Sequence, residues 1–202
     1  MHSLKYIPDL GKMNDVDQYE KDKKIKIKPE YSEGNKRILL STMNSLPRCK
    51  IIVEIGVARK SREESSTWAL LENKPKDTYY FGIDINDRGY VNSWPVSDDK
   101  TFLLRLDSAS IKNVMDYIER NSSYREIDLL HIDGWHSVNQ ILKDWEYALY
   151  LTTYGAVVLH DTNFHPGPVE LVKAIDRKKF SVRSYFKKEK NDWGITVLKR
   201  KN

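Results

Sequence analysis

The chain has 202 residues, 40% of them hydrophobic and 31% charged, with a formal net charge of +5. That length suits one domain around a single core, and the composition excludes a disordered or fibrous chain. The lone Cys49 excludes an intrachain disulfide and any multi-cysteine metal site.

No apolar run approaches the length of a membrane span. The first residues hold no long apolar core, so a secretory leader is not expected, and a reducing, cytoplasmic setting is. Basic residues are densest at Lys21 to Lys28, Lys187 to Lys190 and Lys199 to Lys201. Such stretches could attract nucleic acid. No zinc-finger spacing, RNA-binding signature or recognition helix accompanies them, so solvated lysines are the expectation.

Residues 1–32 read as a polar arm, with KIKIK at 24–28 as a short edge strand or an extended segment; residues 33–202 read as a single domain. A helix is expected over 35–46, where Ile38, Leu39, Met43 and Leu46 form one stripe before Pro47. IIVEIG (51–56) is short, β-branched and apolar except for Glu54, the pattern of a strand buried on both faces. A helix resumes near Ser65, followed by a strand at 78–85 (TYYFGIDI), a loop at 86–100 and a strand at 101–106 (TFLLRL). Residues 109–120 are amphipathic through Ile111, Val114, Met115 and Ile118. A fourth strand, EIDLLHID (126–133), leads into a helix from Ser137 with Val138, Ile141, Leu142, Trp145 and Leu149 on its core side. GAVVLHD (155–161), a short helix at 167–175 and two strand-like segments, SVRSYFKK and WGITVLKR, complete the chain. Alternating strands and helices predict an α/β fold: a doubly wound, Rossmann-like, mostly parallel sheet with helices on both faces. The last two segments would add an antiparallel hairpin.

The chemistry concentrates at strand ends. Asp133 and Asp161 each close an apolar strand, at the carboxyl edge where open α/β sheets bind ligands. Gly56 permits a tight turn after the first strand, and Glu54 is a carboxylate near its end. No GxGxxG or P-loop occurs; Arg59, Lys60, Arg62, Glu63 and Glu64 stand where glycines would cradle a pyrophosphate. Asp84 ends the second strand, the usual place for an acid that binds a ribose diol. Asp107, with Ser108 beside it, could sit over an adenine amino group. The plainer alternative for each acid is a cap on a turn or on the next helix.

Together, VEIG (53–56), GIDI (82–85), LDS (106–108), HIDGWH (131–136), GAVVLHDT (155–162) and the terminal hairpin resemble the class I S-adenosylmethionine-dependent methyltransferases. The likeness is to the small O-methyltransferase-like group with IDG.H and HDT strand ends, over roughly residues 35–198. The resemblance implies S-adenosyl-L-methionine as cofactor, contacted by Glu54, Gly56, Asp84, Asp107 and Ser108. The first-loop glycines of that family are replaced here by a longer charged loop. The region is also similar to the metal-dependent catechol-type O-methyltransferases. There a lysine three residues after the first metal aspartate is the base, and His136 holds that offset from Asp133. By the same comparison Asp161 matches a metal aspartate, and Thr162 stands where an asparagine ligand is usual. Asp133, Asp161 and Thr162 would then hold a cation such as Mg²⁺, which prefers oxygen ligands. His160 could face the opposite side of its strand, and His165 could touch substrate from the following loop.

The function expected is O-methylation of a small-molecule or sugar hydroxyl, with His136 and Asp133 catalytic. One alternative is a non-catalytic binding module of the same fold with a basic arm; another is a metal-dependent enzyme of different chemistry. An exposed strand or the arm could support a homodimer.

Overall fold

The computed structural model describes residues 3–7, 31–58, 63–186 and 192–201. The KIKIK segment, the basic stretches at 21–28 and 187–190, and residues 59–62 of the first loop lie outside the described residues.

Seven strands form one sheet: β1 (Ile51–Ile55), β2 (Tyr79–Asp84), β3 (Thr101–Arg105), β4 (Ile127–Ile132), β5 (Leu151–His160), β6 (Phe180–Tyr185) and β7 (Ile195–Arg200). Their spatial order is β3-β2-β1-β4-β5-β7-β6. The first five strands pair in parallel, while β7 is antiparallel to both β5 and β6. The mixed sheet matches the expected doubly wound architecture, with its switch point between β1 and β4. β5 begins four residues earlier than its apolar run suggests, because Leu151 already pairs with Ile127, ahead of a register shift between β4 and β5.

The helices are α1 (Glu33–Asn44), α2 (Ser66–Asn73), α3 (Ile111–Ser122), α4 (Val138–Trp145) and α5 (Pro166–Ala174). Serines start three of them. Ser32, Ser65 and Ser137 each accept a backbone N–H from the first turn with the side-chain oxygen, which satisfies an otherwise unpaired donor.

β1 shows how the layers form. Ile51, Val53 and Ile55 enter the core that holds Val114, Ile118, Ile141 and Leu171 of α3 to α5. Ile52 points the other way, among Leu39 and Met43 of α1 and Leu70 of α2. The period-2 alternation of a strand thus feeds two cores, and the expected two-sided burial is present.

One expectation needs correction. Leu149 is 56% exposed, because α4 ends at Trp145 and a 3₁₀ turn over Glu146–Tyr150 rotates Leu149 out of register. The N-terminal residues also touch the body. Leu4 bridges Ile175, Lys5 N–H donates to the Ala174 carbonyl, and the Trp145 indole donates to Ser3 Oγ. Among the described residues, no helix is long and apolar enough to cross a membrane.

Candidate functional site

All four predicted aspartates lie on the carboxyl edge of the parallel strands. Asp84 ends β2, Asp107 follows β3, Asp133 follows β4 and Asp161 follows β5. β2 and β4 flank β1, so Asp84 and Asp133 stand two strand spacings apart, about 10 Å. Gly56 closes β1 between them with φ +86°, and its backbone N–H donates to the Ile83 carbonyl. A Cβ at Gly56 would lie 2.1 Å from the Asp133 carbonyl oxygen. Both the left-handed backbone and the approach of the β4 loop therefore require glycine.

The densest chemistry joins the loops after β4 and β5. His136 Nε2 lies 2.8 Å from Asp161 Oδ2 and 3.8 Å from Asp133 Oδ1. His160 Nδ1 lies 3.1 Å from Asp133 Oδ1 and 3.2 Å from Asp161 Oδ1. His165 Nδ1 is 3.5 Å from Asp161 Oδ2. Asp161 reaches three imidazoles because its backbone is left-handed, φ 59°, a conformation aspartate tolerates better than most residues. His160 therefore does not face away from the acids; its ring is turned onto them.

Aromatic stacking backs the cluster. The His136 ring stacks on His165 at 4.2 Å between centroids, and His165 stacks on Trp193 at 4.9 Å. Trp193 thus braces a histidine of the site. Gly167 N–H donates to the His136 carbonyl, and a Cβ at Gly167 would strike that oxygen at 2.4 Å. The start of α5 thereby clamps the backbone of the β4 loop.

Charge follows from this geometry. Burial opposes a proton on His136, but the Asp161 and Asp133 carboxylates outweigh it and push the imidazole up to about 9. Burial would raise the Asp133 carboxyl; His160 and His136 outweigh it and hold the group at about 2. Asp161 is lowered well below the usual carboxylate range, because His160 and His136 overcome its burial.

The residues expected at the cofactor divide into two sets. Glu54 is a correction: it has no exposed surface and sits on the α2 side of the sheet. Ser66 Oγ and His131 Nδ1–H donate to its Oε1, and Thr67 Oγ1 and the Tyr80 hydroxyl donate to its Oε2. It organises the floor of the first loop and offers a ligand no free face. Ser108 is likewise buried, donating to Asp144 Oδ1 and accepting from Gln140. Asp84, Asp107 and Gly56 remain at the rim. Asp84 accepts the Val57 and Asn86 N–H groups and lies 3.1 Å from Arg88 Nε. Asp107 caps the turn into α3 through the Ala109 N–H. Ile85, beside Asp84, is 70% exposed and presents apolar surface on which a flat base could lie. Those rim residues fit a nucleoside.

For a cation, two donor sets each lie within 4.8 Å: Asp133, His160 and Asp161; and His136, Asp161 and His165. Adjacent ligands about 2.1 Å from an octahedral ion are about 3 Å apart, close to the separations here. The carboxylates suit Mg²⁺, whereas imidazoles suit transition ions. The Thr162 hydroxyl accepts from Thr196 Oγ1 of β7 at 3.0 Å.

Sequence reading missed His131, Tyr31, Asn35 and Asp192. A signal existed for His131. It sits directly across from Glu54 in the β1–β4 register, so two lone polar residues in neighbouring apolar strands were a pair in waiting. Asn35 and Asp192 carry no local signal.

No family model and no curated protein matches the sequence. Solved structures do match its fold. An rRNA methylase from Streptococcus thermophilus superposes with a TM-score of 0.59 at 13% identity, over 84% of this chain and 95% of that one. An O-methyltransferase from Bacillus cereus, solved with SAH, gives 0.58 at 15% identity, over 96% and 93%. MycE, a methyltransferase of the mycinamycin biosynthetic pathway solved with Mg, SAH and mycinamycin VI, gives 0.57 at 13% identity over 94% of this chain. The chain spans about half the length of MycE, 54%. At these identities the likeness establishes the fold, a Rossmann-like methyltransferase sheet.

Proposed function

We propose that this protein is an S-adenosylmethionine-dependent methyltransferase that methylates a hydroxyl of a small molecule or saccharide. The observation that carries this reading is the His136–Asp161–His160–Asp133 cluster, set beside the Gly56 turn at the carboxyl edge of a methyltransferase sheet. Methyl transfer to oxygen requires the acceptor to lose a proton and to face the methyl group in line; placement and electrostatics supply much of the rate. The bound cofactor supplies the electrophilic methyl. Asp84 and Asp107 would hold its nucleoside, with Ile85 beneath the base.

His136 is the proposed base. In the free protein the two carboxylates keep it protonated up to about pH 9. It can accept a proton only when positive charge nearby releases its own. A sulfonium or a divalent ion held at Asp133 and Asp161 fits that requirement. Such an ion would also lower the pKa of the acceptor hydroxyl.

The test is calorimetric titration with S-adenosylmethionine. Heat of binding that Asp84→Ala abolishes is expected; no heat at millimolar cofactor with folded protein would overturn the reading. One observation favours a second reading, a binding module without catalysis: Arg88 already occupies Asp84. Under that reading the titration with cofactor stays silent.

A further inference from the structure

Three polar side chains behind the rim converge on one residue. Gln140, Asp144 and Tyr147 follow the i, i+4, i+7 spacing of a single helical face, carried by α4 and the 3₁₀ turn after it. All three bond to Ser108, in the turn after β3. Ser108 Oγ donates to Asp144 Oδ1 at 2.6 Å, while Gln140 Nε2 donates to Ser108 Oγ at 2.8 Å and to Asp144 Oδ1 at 3.0 Å. The Tyr147 hydroxyl donates to the Ser108 carbonyl at 2.7 Å. The hydroxyl and the carbonyl of Ser108 are both spent inward, so the turn is held from beneath. Its neighbour Asp107 stays exposed, with Oδ1 accepting the Ala109 N–H.

Packing does not explain this stripe. Leucine would fill the place of Asp144 without the cost of a buried carboxylate. Asp144 carries that cost: it has no exposed surface, and Oδ2 has no hydrogen-bond partner among the described residues. A hydrogen-bonded network supplies direction, which an apolar contact does not. Asp144 also lies against the β4 loop, where a Cβ at Gly134 would come within 3.6 Å of Oδ2.

We propose that Gln140, Asp144 and Tyr147 are positioning residues that set the Asp107–Ser108 turn for the base of the nucleoside. The helix that carries the first two begins beside the proposed base catalyst. Ser137, the residue after His136, caps α4 by accepting the Gln140 N–H. α4 is eight residues long, about 12 Å. One rigid element therefore fixes both the turn under the nucleoside and the loop of His136, and with them the span between adenine and the reacting edge. Methyl transfer depends on that span, because placement supplies much of its rate. This role rests on the proposed cofactor site; the hydrogen bonds do not.

The experiment is calorimetric titration of the full chain with S-adenosylhomocysteine and with S-inosylhomocysteine, in which an oxo group replaces the exocyclic amino group of the base. The Asp107 carboxylate accepts from the amino group and opposes the oxo group, so wild type should prefer the adenine form at least about 10-fold. Tyr147→Phe and Asp144→Leu loosen the turn, and each should cut that preference at least about 3-fold, through weaker binding of the adenine form. Asp144→Asn keeps the accepting oxygen and should keep the preference. A purely structural role would weaken both ligands alike. An unchanged preference in Tyr147→Phe or in folded Asp144→Leu therefore overturns the inference. A loss in Asp144→Asn equal to that in Asp144→Leu also overturns it, because charge and not direction would then be acting. Should Asp144→Leu fail to fold, Tyr147→Phe, which removes a single oxygen, decides. Wild type that binds both forms equally defeats this inference alone, whereas no heat from either form defeats the methyl-transfer reading and this role with it.

Discussion

Asp144→Asn should stabilise the protein near neutral pH and do almost nothing in acid. Asp144 sits on the buried face of α4 with no exposed surface. Its Oδ1 accepts from Ser108 Oγ at 2.6 Å and Gln140 Nε2 at 3.0 Å, while Oδ2 is buried without a hydrogen-bond partner among the described residues. Burial therefore pushes the carboxyl from its ordinary 3.8 up to about 6, against the pull of Ser108 and Gln140. A raised folded-state value means the native state prefers the protonated form. This contribution to stability is fully present below 3.8 and is lost as pH rises through about 6. At about 1.4 kcal/mol per pKa unit, the loss comes to about 3 kcal/mol at neutral pH, an upper bound once relaxation is allowed.

Asparagine keeps the accepting oxygen and never ionises. Urea denaturation followed by tryptophan fluorescence at pH 4 and pH 7.5 would measure the effect. We expect near equality with wild type in acid and a gain of up to about 3 kcal/mol at the higher pH, or about 6–12 °C in Tm for a chain of this size. A stability difference that does not change with pH would refute the assignment of a buried, destabilised carboxylate.

His136 carries the opposite expectation for its own removal. Its folded value of about 9 against an ordinary 6.5 adds stability that is fully present below 6.5 and lost as pH rises through 9; His136→Gln should flatten that decline, worth about 3 kcal/mol. Thermal melts across that window check it. Gly56→Ala combines a positive φ with a 2.1 Å contact to the Asp133 carbonyl; a loss of at least about 2 kcal/mol and weakened cofactor binding are expected, read by denaturation and calorimetry. Arg88→Ala frees the Asp84 carboxylate, so cofactor affinity should rise about 5- to 10-fold, equivalent to about 1 kcal/mol; a weaker affinity would show that Arg88 serves the site instead of blocking it. Mg²⁺ titration of wild type and Asp161→Asn should give binding that the substitution removes, and equal heats from both would exclude Asp161 as a ligand.

Local pattern was enough to read the strands, the helices and the edge on which the acids stand. Apolar β-branched runs such as IIVEI and the serines before α1, α2 and α4 act over a few residues, and those few residues are adjacent in the chain. Asp133, His136 and Asp161 were legible for the same reason: each follows directly from where a strand ends. What the sequence could not decide was where each polar side chain would be spent. Glu54 looked like a cofactor contact, but lies four hydrogen bonds deep between β1, α2, β2 and β4. Thr162 gives no local sign of its partner, Thr196, on a strand over thirty residues away.

His160 is the sharpest case. Strand alternation specifies a face, yet the ring reaches Asp133 and Asp161 because the backbone of Asp161 turns left-handed and because Asn35 and Asp192 close behind it. Those partners lie 125 residues before it and 32 after it in the sequence. Hydrogen bonds are short-ranged and directional, so only folding, which brings these chain segments to within about 3 Å, assigns each donor to its acceptor.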